Sequence, residues 1–84
     1  VNYYILTDSN NNPVSTYSDE YQYWYDVELT ELDYAEVFNF SEEGFMEASE
    51  YIDFLKDREI KEGDGVKLPL KICKMKSHRE IIIE

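Results

Sequence analysis

Four oxygen-bearing side chains near the N-terminus have the spacing of calcium ligands. Asp8, Asn10, Asn12 and Asp19 match the first, third, fifth and twelfth positions of a calcium-binding loop. Such a loop needs glycine at its sixth position, where this sequence has Pro13. It also lies between helices, whereas the flanking residues here favour strands. These four residues are therefore a weak metal-site candidate, and a hairpin turn is the favoured interpretation.

The other side chains that could take part in catalysis or metal binding indicate a functional site even more weakly. Cys73 and His78 are the only cysteine and the only histidine, whereas a zinc site needs about four ligands. A Cys–His nucleophile pair would need a cleft and an oxyanion hole, which nothing in the sequence marks. Carboxylates are so numerous that any two could be taken for an acid and a base. The three glycines form no phosphate-binding loop. We therefore expect neither an enzyme nor a cofactor.

The uneven distribution of charge is more informative than any of these residues. Residues 1–55 contain five Asp and eight Glu but no Lys or Arg, a formal charge of −13. Residues 56–84 contain all eight bases and have a charge of +2, so the whole chain has −11. Such a field attracts basic proteins and repels nucleic acids and anionic membranes. Solubility alone would also explain an acidic surface.

The basic residues of the C-terminal part form a cluster of five. Five charges next to an acidic body favour protection of a sheet edge over contact with nucleic acid. The cluster consists of Lys67, Lys71, Lys74, Lys76 and Arg79.

Length and composition predict one domain, residues 1–84. A single cysteine fits a reducing compartment, and no apolar run is long enough to span a membrane. These features predict a cytoplasmic protein.

The elements that position these residues are predicted from periodicity. Residues 1–7 and 14–17 should form a hairpin around the Asn-rich turn. Residues 21–29 alternate as a strand, although a helix capped by Ser18 also fits. Residues 30–33 should form a capped turn, followed by a short strand over 34–40. After a turn at 62–65, we expect strands over 66–75, bulged or at an edge because of Pro69, and over 79–84.

The clearest element is a helix over about residues 42–58, with Ser41 as its N-cap. We therefore expect an α+β fold, in which an antiparallel sheet of about four to five strands packs against this helix. Phe45, Ala48, Ile52 and Leu55 fall on one side of the helix, the predicted core face.

The opposite helix face has an acidic stripe with an aromatic residue inside it. Phe54 lies in the stripe, where it could be an anchor for a partner or be covered by a loop. Together with two acids of the strand over 21–29, this face is the predicted partner-binding surface. Its candidate residues are Glu42, Glu43, Met46, Glu47, Glu50, Asp53, Phe54, Asp57, Asp26 and Glu28.

The run from Ala35 to Glu43, followed by Glu47 to Ile52, resembles a strand-to-helix passage common in short phage open reading frames. In size and charge, the chain also resembles phage-encoded inhibitors that imitate DNA. Such inhibitors block uracil-DNA glycosylases, restriction enzymes, CRISPR nucleases or histone-like proteins. The resemblance implies an inhibitor that occupies the nucleic-acid-binding surface of a basic protein inside a bacterial host.

Two alternatives remain open at this point. One is an interaction module or regulator that does not imitate DNA and docks through an aromatic anchor. The other is a small calcium-binding or enzymatic domain. The oligomeric state is not predicted.

Overall fold

A computed structural model describes residues 2–18, 20–21, 24–63 and 65–76 of the chain. Within them lie six strands, one α-helix and one short 3₁₀ turn. In chain order these are β1 (Asn2–Thr7), β2 (Val14–Ser18), β3 (Trp24–Leu29), the 3₁₀ turn (Leu32–Tyr34), β4 (Val37–Asn39), α1 (Glu42–Lys56), β5 (Glu59–Glu62) and β6 (Lys71–Lys76). The predicted α+β class is confirmed.

The strands form two three-stranded sheets rather than one. Sheet A has the order β4-β1-β6 and is antiparallel throughout. Its central strand pairs Tyr4 with Phe38 on one side and with Lys74 on the other. These three side chains therefore lie on the same face of sheet A, because directly paired residues point the same way.

Sheet B has the order β2-β3-β5, with β2 antiparallel to β3 and β3 parallel to β5. The predicted hairpin of β1 and β2 is therefore wrong, since these two strands belong to different sheets. An isolated bridge joins Thr7, at the end of β1, to Pro13, the residue before β2. The turn between them is held by the side chain of Asp8, which leads the chain from one sheet into the other.

The helix starts where its capping residue predicts. The Ser41 hydroxyl accepts a hydrogen bond from the Gly44 backbone N–H at 2.9 Å. Glu42 and Glu43 lie in the first turn, and Lys56 lies in the last turn. These charges complement the helix dipole. The regular helix ends at Lys56, slightly earlier than predicted.

One hydrophobic core joins the two sheets and the helix. Leu6 comes from sheet A, Val14 and Val27 come from sheet B, and Ala48 comes from the helix. Val66, in the loop before β6, completes this cluster. Because each layer contributes to the same core, the position of the helix is fixed relative to both sheets.

Several predicted boundaries change. Tyr21 lies in a turn outside β3, and β4 covers only the middle of the predicted strand over 34–40. Residues 66–70 form a loop instead of a strand, and β5 was not predicted at all. The turn at 30–33 appears as the 3₁₀ turn, whose N-cap residue Glu31 makes no side-chain hydrogen bond. The strand predicted over 79–84 lies outside the described residues.

Candidate protein-binding surface

The close approach of the helix to sheet A sets which helix face is buried. A Cβ atom placed on Gly44 would lie 1.9 Å from the backbone oxygen of Asn39, so only glycine fits there. Gly44, Ala48 and Leu55 are the buried residues of α1. The contact line thus follows the small residues Gly44 and Ala48, which lie one turn apart.

Phe45 does not lie on the core face, contrary to its predicted position. Its side chain is 46% exposed, because the glycine beside it takes the place nearest to sheet A. The Phe45 ring packs edge-on against Tyr4 of β1, with 5.5 Å between the ring centroids. The spacing of Gly44 and Ala48 is the sequence feature that could have revealed that the buried helix face is centred on these two residues and not on Phe45.

Phe54 is half-buried, although the sequence pattern places it within the acidic stripe. Its ring meets Tyr25 of β3 edge-on at 5.6 Å and stacks on Tyr51 at 6.3 Å. The guanidinium carbon of Arg58 lies 4.2 Å from the Phe54 ring centroid. Phe54 therefore ties the helix to sheet B, and the predicted role of an exposed anchor does not fit its packing.

The acidic side chains of α1 form a continuous outer face, which we call the acidic face. Met46 is 59% exposed and lies in the middle of this face. The acids are all exposed: Glu42, Glu43, Glu47, Glu50, Asp53 and Asp57. The structure thus brings together eight of the predicted partner-binding residues along one helix, although Phe54 lies at the inner border.

The carboxylates of the acidic face are largely unneutralised. Lys56 pairs with Asp53 at 3.8 Å, and both side chains are well exposed, so this ion pair contributes little. No Lys or Arg in the described part of the chain forms an ion pair with Glu43, Glu47 or Glu50. The face therefore projects several negative charges into solvent.

Asp26 and Glu28 do not join this face. They alternate along β3 with Tyr25 and Val27, whose side chains are buried toward the helix and the core. Because successive side chains of a strand point to opposite faces, Asp26 and Glu28 lie on the outer face of sheet B. They form a separate acidic area.

The Asp8 carboxylate, the first residue of the calcium-ligand candidate, accepts hydrogen bonds from backbone N–H groups. Its Oδ1 atom accepts hydrogen bonds from the N–H groups of Asn10 and Asn12, at 2.9 and 3.0 Å. Its Oδ2 atom accepts one from the Lys67 N–H at 3.2 Å. Asp19 lies outside the described residues. Those described contain no group of three or more His, Cys, Asp or Glu placed to hold a metal ion.

The other residues considered for reactive or binding roles, where the structure describes them, make contacts within the fold. Cys73 is half-buried, with its sulfur 3.3 Å from the Thr7 hydroxyl oxygen. The Lys71 ammonium donates to the Asn11 side-chain oxygen at 2.7 Å. His78 and Arg79 lie outside the described residues, whereas Lys71, Lys74 and Lys76 lie on β6, an edge strand of the sheet as described.

A polar triad connects the helix with sheet B and with Glu36, the residue that precedes β4. The Thr16 hydroxyl of β2 donates to a carboxylate oxygen of Glu36 at 3.1 Å and also contacts the Tyr51 hydroxyl at 2.5 Å. Since Thr16 has a single hydroxyl proton, the Tyr51 hydroxyl is the donor in the second bond. Burial raises the pKa of Tyr51, and the nearby charge of Glu36 adds to the rise.

Alkaline pH is expected to destabilise the protein through Tyr51. Its folded-state pKa lies above the ordinary value of 10.0, so the stabilisation is complete below that pH and is lost as the pH rises above it. Urea unfolding should show this loss in the native chain and a smaller loss in Tyr51→Phe. Tyr17→Phe, which alters a tyrosine that is 57% exposed, is the control. An equal alkaline loss in all three chains would refute the assignment.

The fold and the acidic face define a small α+β protein with an unneutralised helical surface. No helix among the described residues is long and apolar enough to cross a membrane. Comparison with known proteins finds no match, whether to a family model, a curated protein or a solved structure. Functional inference therefore depends on the surface itself.

Proposed function

We propose that this chain is an acidic inhibitor that binds a basic protein and occupies its nucleic-acid-binding surface by imitating DNA. The observation that carries this proposal is the acidic face of α1, whose exposed carboxylates, apart from Asp53, form no ion pair with a lysine or arginine of the described residues. A basic protein that binds DNA presents lysines and arginines in rows that match the phosphates. A rigid row of carboxylates offers such a protein a competing ligand.

The spacing of the charges supports imitation of a phosphate backbone. From Glu42 to Asp57 the helix rises about 22 Å at roughly 1.5 Å per residue. Six acids over this length leave about 4.5 Å between successive charges, compared with about 3.4 Å along one DNA strand. Because the shared core holds the helix against both sheets, the backbone that carries these charges is ordered before a partner binds.

The charge distribution of the whole chain supports the same function. The charge of −13 over residues 1–55 speeds encounter with a basic protein and disfavours direct binding to DNA or to anionic lipid. We place the protein in the cytoplasm of a bacterial host, where the resemblance to phage inhibitors implies its targets. Those targets include uracil-DNA glycosylases, restriction enzymes, CRISPR nucleases and histone-like proteins.

Displacement of DNA from purified members of these target classes tests the proposal. We expect the chain to release labelled duplex DNA from at least one of them, with an affinity that falls steeply as salt rises. The double variant Glu43→Gln/Glu50→Gln should weaken displacement by about fivefold or more. Asp26→Asn/Glu28→Gln removes the same charge from sheet B and should change it less than about twofold.

Two results would contradict the proposal. The first is a chain that displaces DNA from none of the proteins tested, even at low salt. The second is an equal loss of displacement in the two double variants, which would show that net charge matters and the acidic face does not.

A second candidate function is a regulator that docks through apolar contacts without imitating DNA. The observation that favours it is Met46, exposed in the middle of the acidic face. For such a regulator, Met46→Ala would weaken binding more than any single Glu→Gln substitution, and added DNA would not compete. Because Phe54 is packed against Tyr25 and Tyr51, Met46 replaces it as the residue to test.

A further inference from the structure

Three aromatic side chains, two of them exposed and Tyr4 half-buried, form a patch at the N-terminal end of the helix. The Tyr4 ring lies 5.1 Å from the Phe40 ring and 5.5 Å from the Phe45 ring, measured between centroids. Phe40 is 45% exposed and Phe45 is 46% exposed. We call these three residues the aromatic patch. The exposed Met46 directly follows Phe45 in α1.

The aromatic patch is held in place by its surroundings. Tyr4 lies on the central strand of sheet A, and Phe45 follows the glycine that packs against Asn39. The Lys74 ammonium lies 5.0 Å from the centroid of the Phe40 ring. Rings ordered in advance lose little conformational entropy on binding, which favours their use as contact residues.

The charges beside the patch indicate the chemistry of its partner. Glu42 and Glu43 occupy the helix turn that contains Phe45, and they are exposed. No described Lys or Arg pairs with either of them. A partner residue that covers Phe45 therefore brings its neighbours next to two free carboxylates. Basic neighbours gain from this contact, and acidic neighbours are repelled.

A second apolar surface has the wrong chemistry for such a partner. It is a groove of about 350 Å³ between the C-terminal half of α1, β5 and the loop before β6. Among the described residues, its lining contains Leu68 and other apolar residues, and Lys56 is the charged one. A basic segment would meet a like charge there. At the aromatic patch it also meets Lys74, but the two carboxylates of Glu42 and Glu43 outnumber this lysine.

We propose that the aromatic patch is the anchor site for an aliphatic side chain flanked by lysines or arginines in a protein partner. This inference rests on the proposed function and adds its apolar contact. A buried apolar anchor with a charged rim is the usual arrangement of an interface hot spot. In this arrangement the acidic face attracts and orients the partner, and the aromatic patch retains it.

Two labelled helical peptides test this anchor. Both contain the same number of lysines; one has leucines on a single face and the other has serines at those positions. By fluorescence anisotropy, we expect the leucine peptide to bind the native chain at least about tenfold more tightly. Phe45→Ala and Phe40→Ser, both in the aromatic patch, should each reduce this advantage, whereas Leu68→Ser, in the apolar groove, should leave it unchanged. Thermal melts establish that each variant is folded, and Phe40→Ser provides the test if Phe45→Ala does not fold.

The outcomes separate this inference from the proposed function. Equal affinity for the two peptides would overturn the anchor site while leaving the charge-based function intact. A loss confined to Leu68→Ser would overturn it in favour of the apolar groove. Failure of the native chain both to bind either peptide at low salt and to displace DNA from its targets would overturn both proposals.

Discussion

Replacing Gly44 with alanine is expected to destabilise the protein by about 2–3 kcal/mol, although alanine is the better helix former. Helix propensity alone predicts the opposite, a gain of about 1 kcal/mol. The added Cβ would lie 1.9 Å from the Asn39 oxygen and 2.8 Å from the Asn39 carbonyl carbon. Both atoms belong to the backbone at the end of β4. The helix therefore has to move away from sheet A to make room.

Urea unfolding of Gly44→Ala measures this effect. The matched control is Glu47→Ala, at an exposed position of the same helix, which should change the free energy of unfolding by less than about 0.5 kcal/mol. A Gly44→Ala chain as stable as the native chain, or more stable, would mean that the helix does not approach β4 as closely as described.

Replacing Asp8 with alanine is expected to lower the melting temperature by more than about 10 °C. The Asp8 side chain is fully buried and accepts three backbone N–H groups, from Asn10, Asn12 and Lys67. Alanine leaves these donors without their partner, and a buried donor without a partner is costly. The substitution also removes the link between the first turn and the loop that precedes β6.

Acid should weaken the same interaction in the native chain. Burial on its own raises the pKa of Asp8, but hydrogen bonds from the N–H groups of Asn12, Lys67 and Asn10 outweigh it. The folded-state pKa is therefore below the ordinary 3.8. A lowered pKa stabilises the fold above the unfolded value, and this stabilisation disappears as the pH falls through the folded-state pKa.

Thermal melts between neutral pH and about pH 3 measure both effects of Asp8. Asp33→Asn, at an exposed aspartate in the 3₁₀ turn, is the control and should have the acid sensitivity of the native chain. Asp8→Asn should be less stable at neutral pH and lose less stability in acid. An Asp8→Ala chain that melts with the native chain at neutral pH would refute the role of this carboxylate.

The helix was predictable because its determinants are local. Ser41 as a cap, acids in the first turn and a lysine in the last turn lie within one continuous segment, and the structure confirms each of them. The strands β1, β2 and β3 were largely predictable for the same reason, since alternation is visible over five or six residues.

The partners of the strands were not predictable from local patterns. The turn after β1 has the composition of a hairpin turn, yet Asp8 also binds the N–H of Lys67, a residue 59 positions away. The strand β5 contains Glu59, Ile60, Lys61 and Glu62, with three charges among four residues. It becomes a strand because β3 offers it a parallel edge. This is an example of tertiary context overriding propensity.

The acidic residues of the candidate site could be predicted from the sequence, but the positions of its aromatic residues could not. Acidic residues could be assigned to the outer side of α1, because charge and helical period are both read directly from the sequence. Phe45 was predicted to be buried and Phe54 to lie within the acidic stripe opposite the core face, whereas Phe45 is exposed and Phe54 is half-buried. The prediction failed because assigning the core face by hydrophobic side chains gives Gly44 almost no weight. The structure shows that this glycine decides which side approaches the sheet.

The two sheets are interleaved along the chain, and this has a consequence for folding. Sheet A uses the first, fourth and sixth strands, and sheet B uses the second, third and fifth. No single cut of the chain yields a fragment that contains one complete sheet without part of the other. We therefore expect neither sheet to fold as an independent unit, because each contains a strand pair that is distant in the sequence, β1 with β6 in sheet A and β3 with β5 in sheet B. Amide hydrogen exchange should find both sheets opening together, in one cooperative step that also releases the helix.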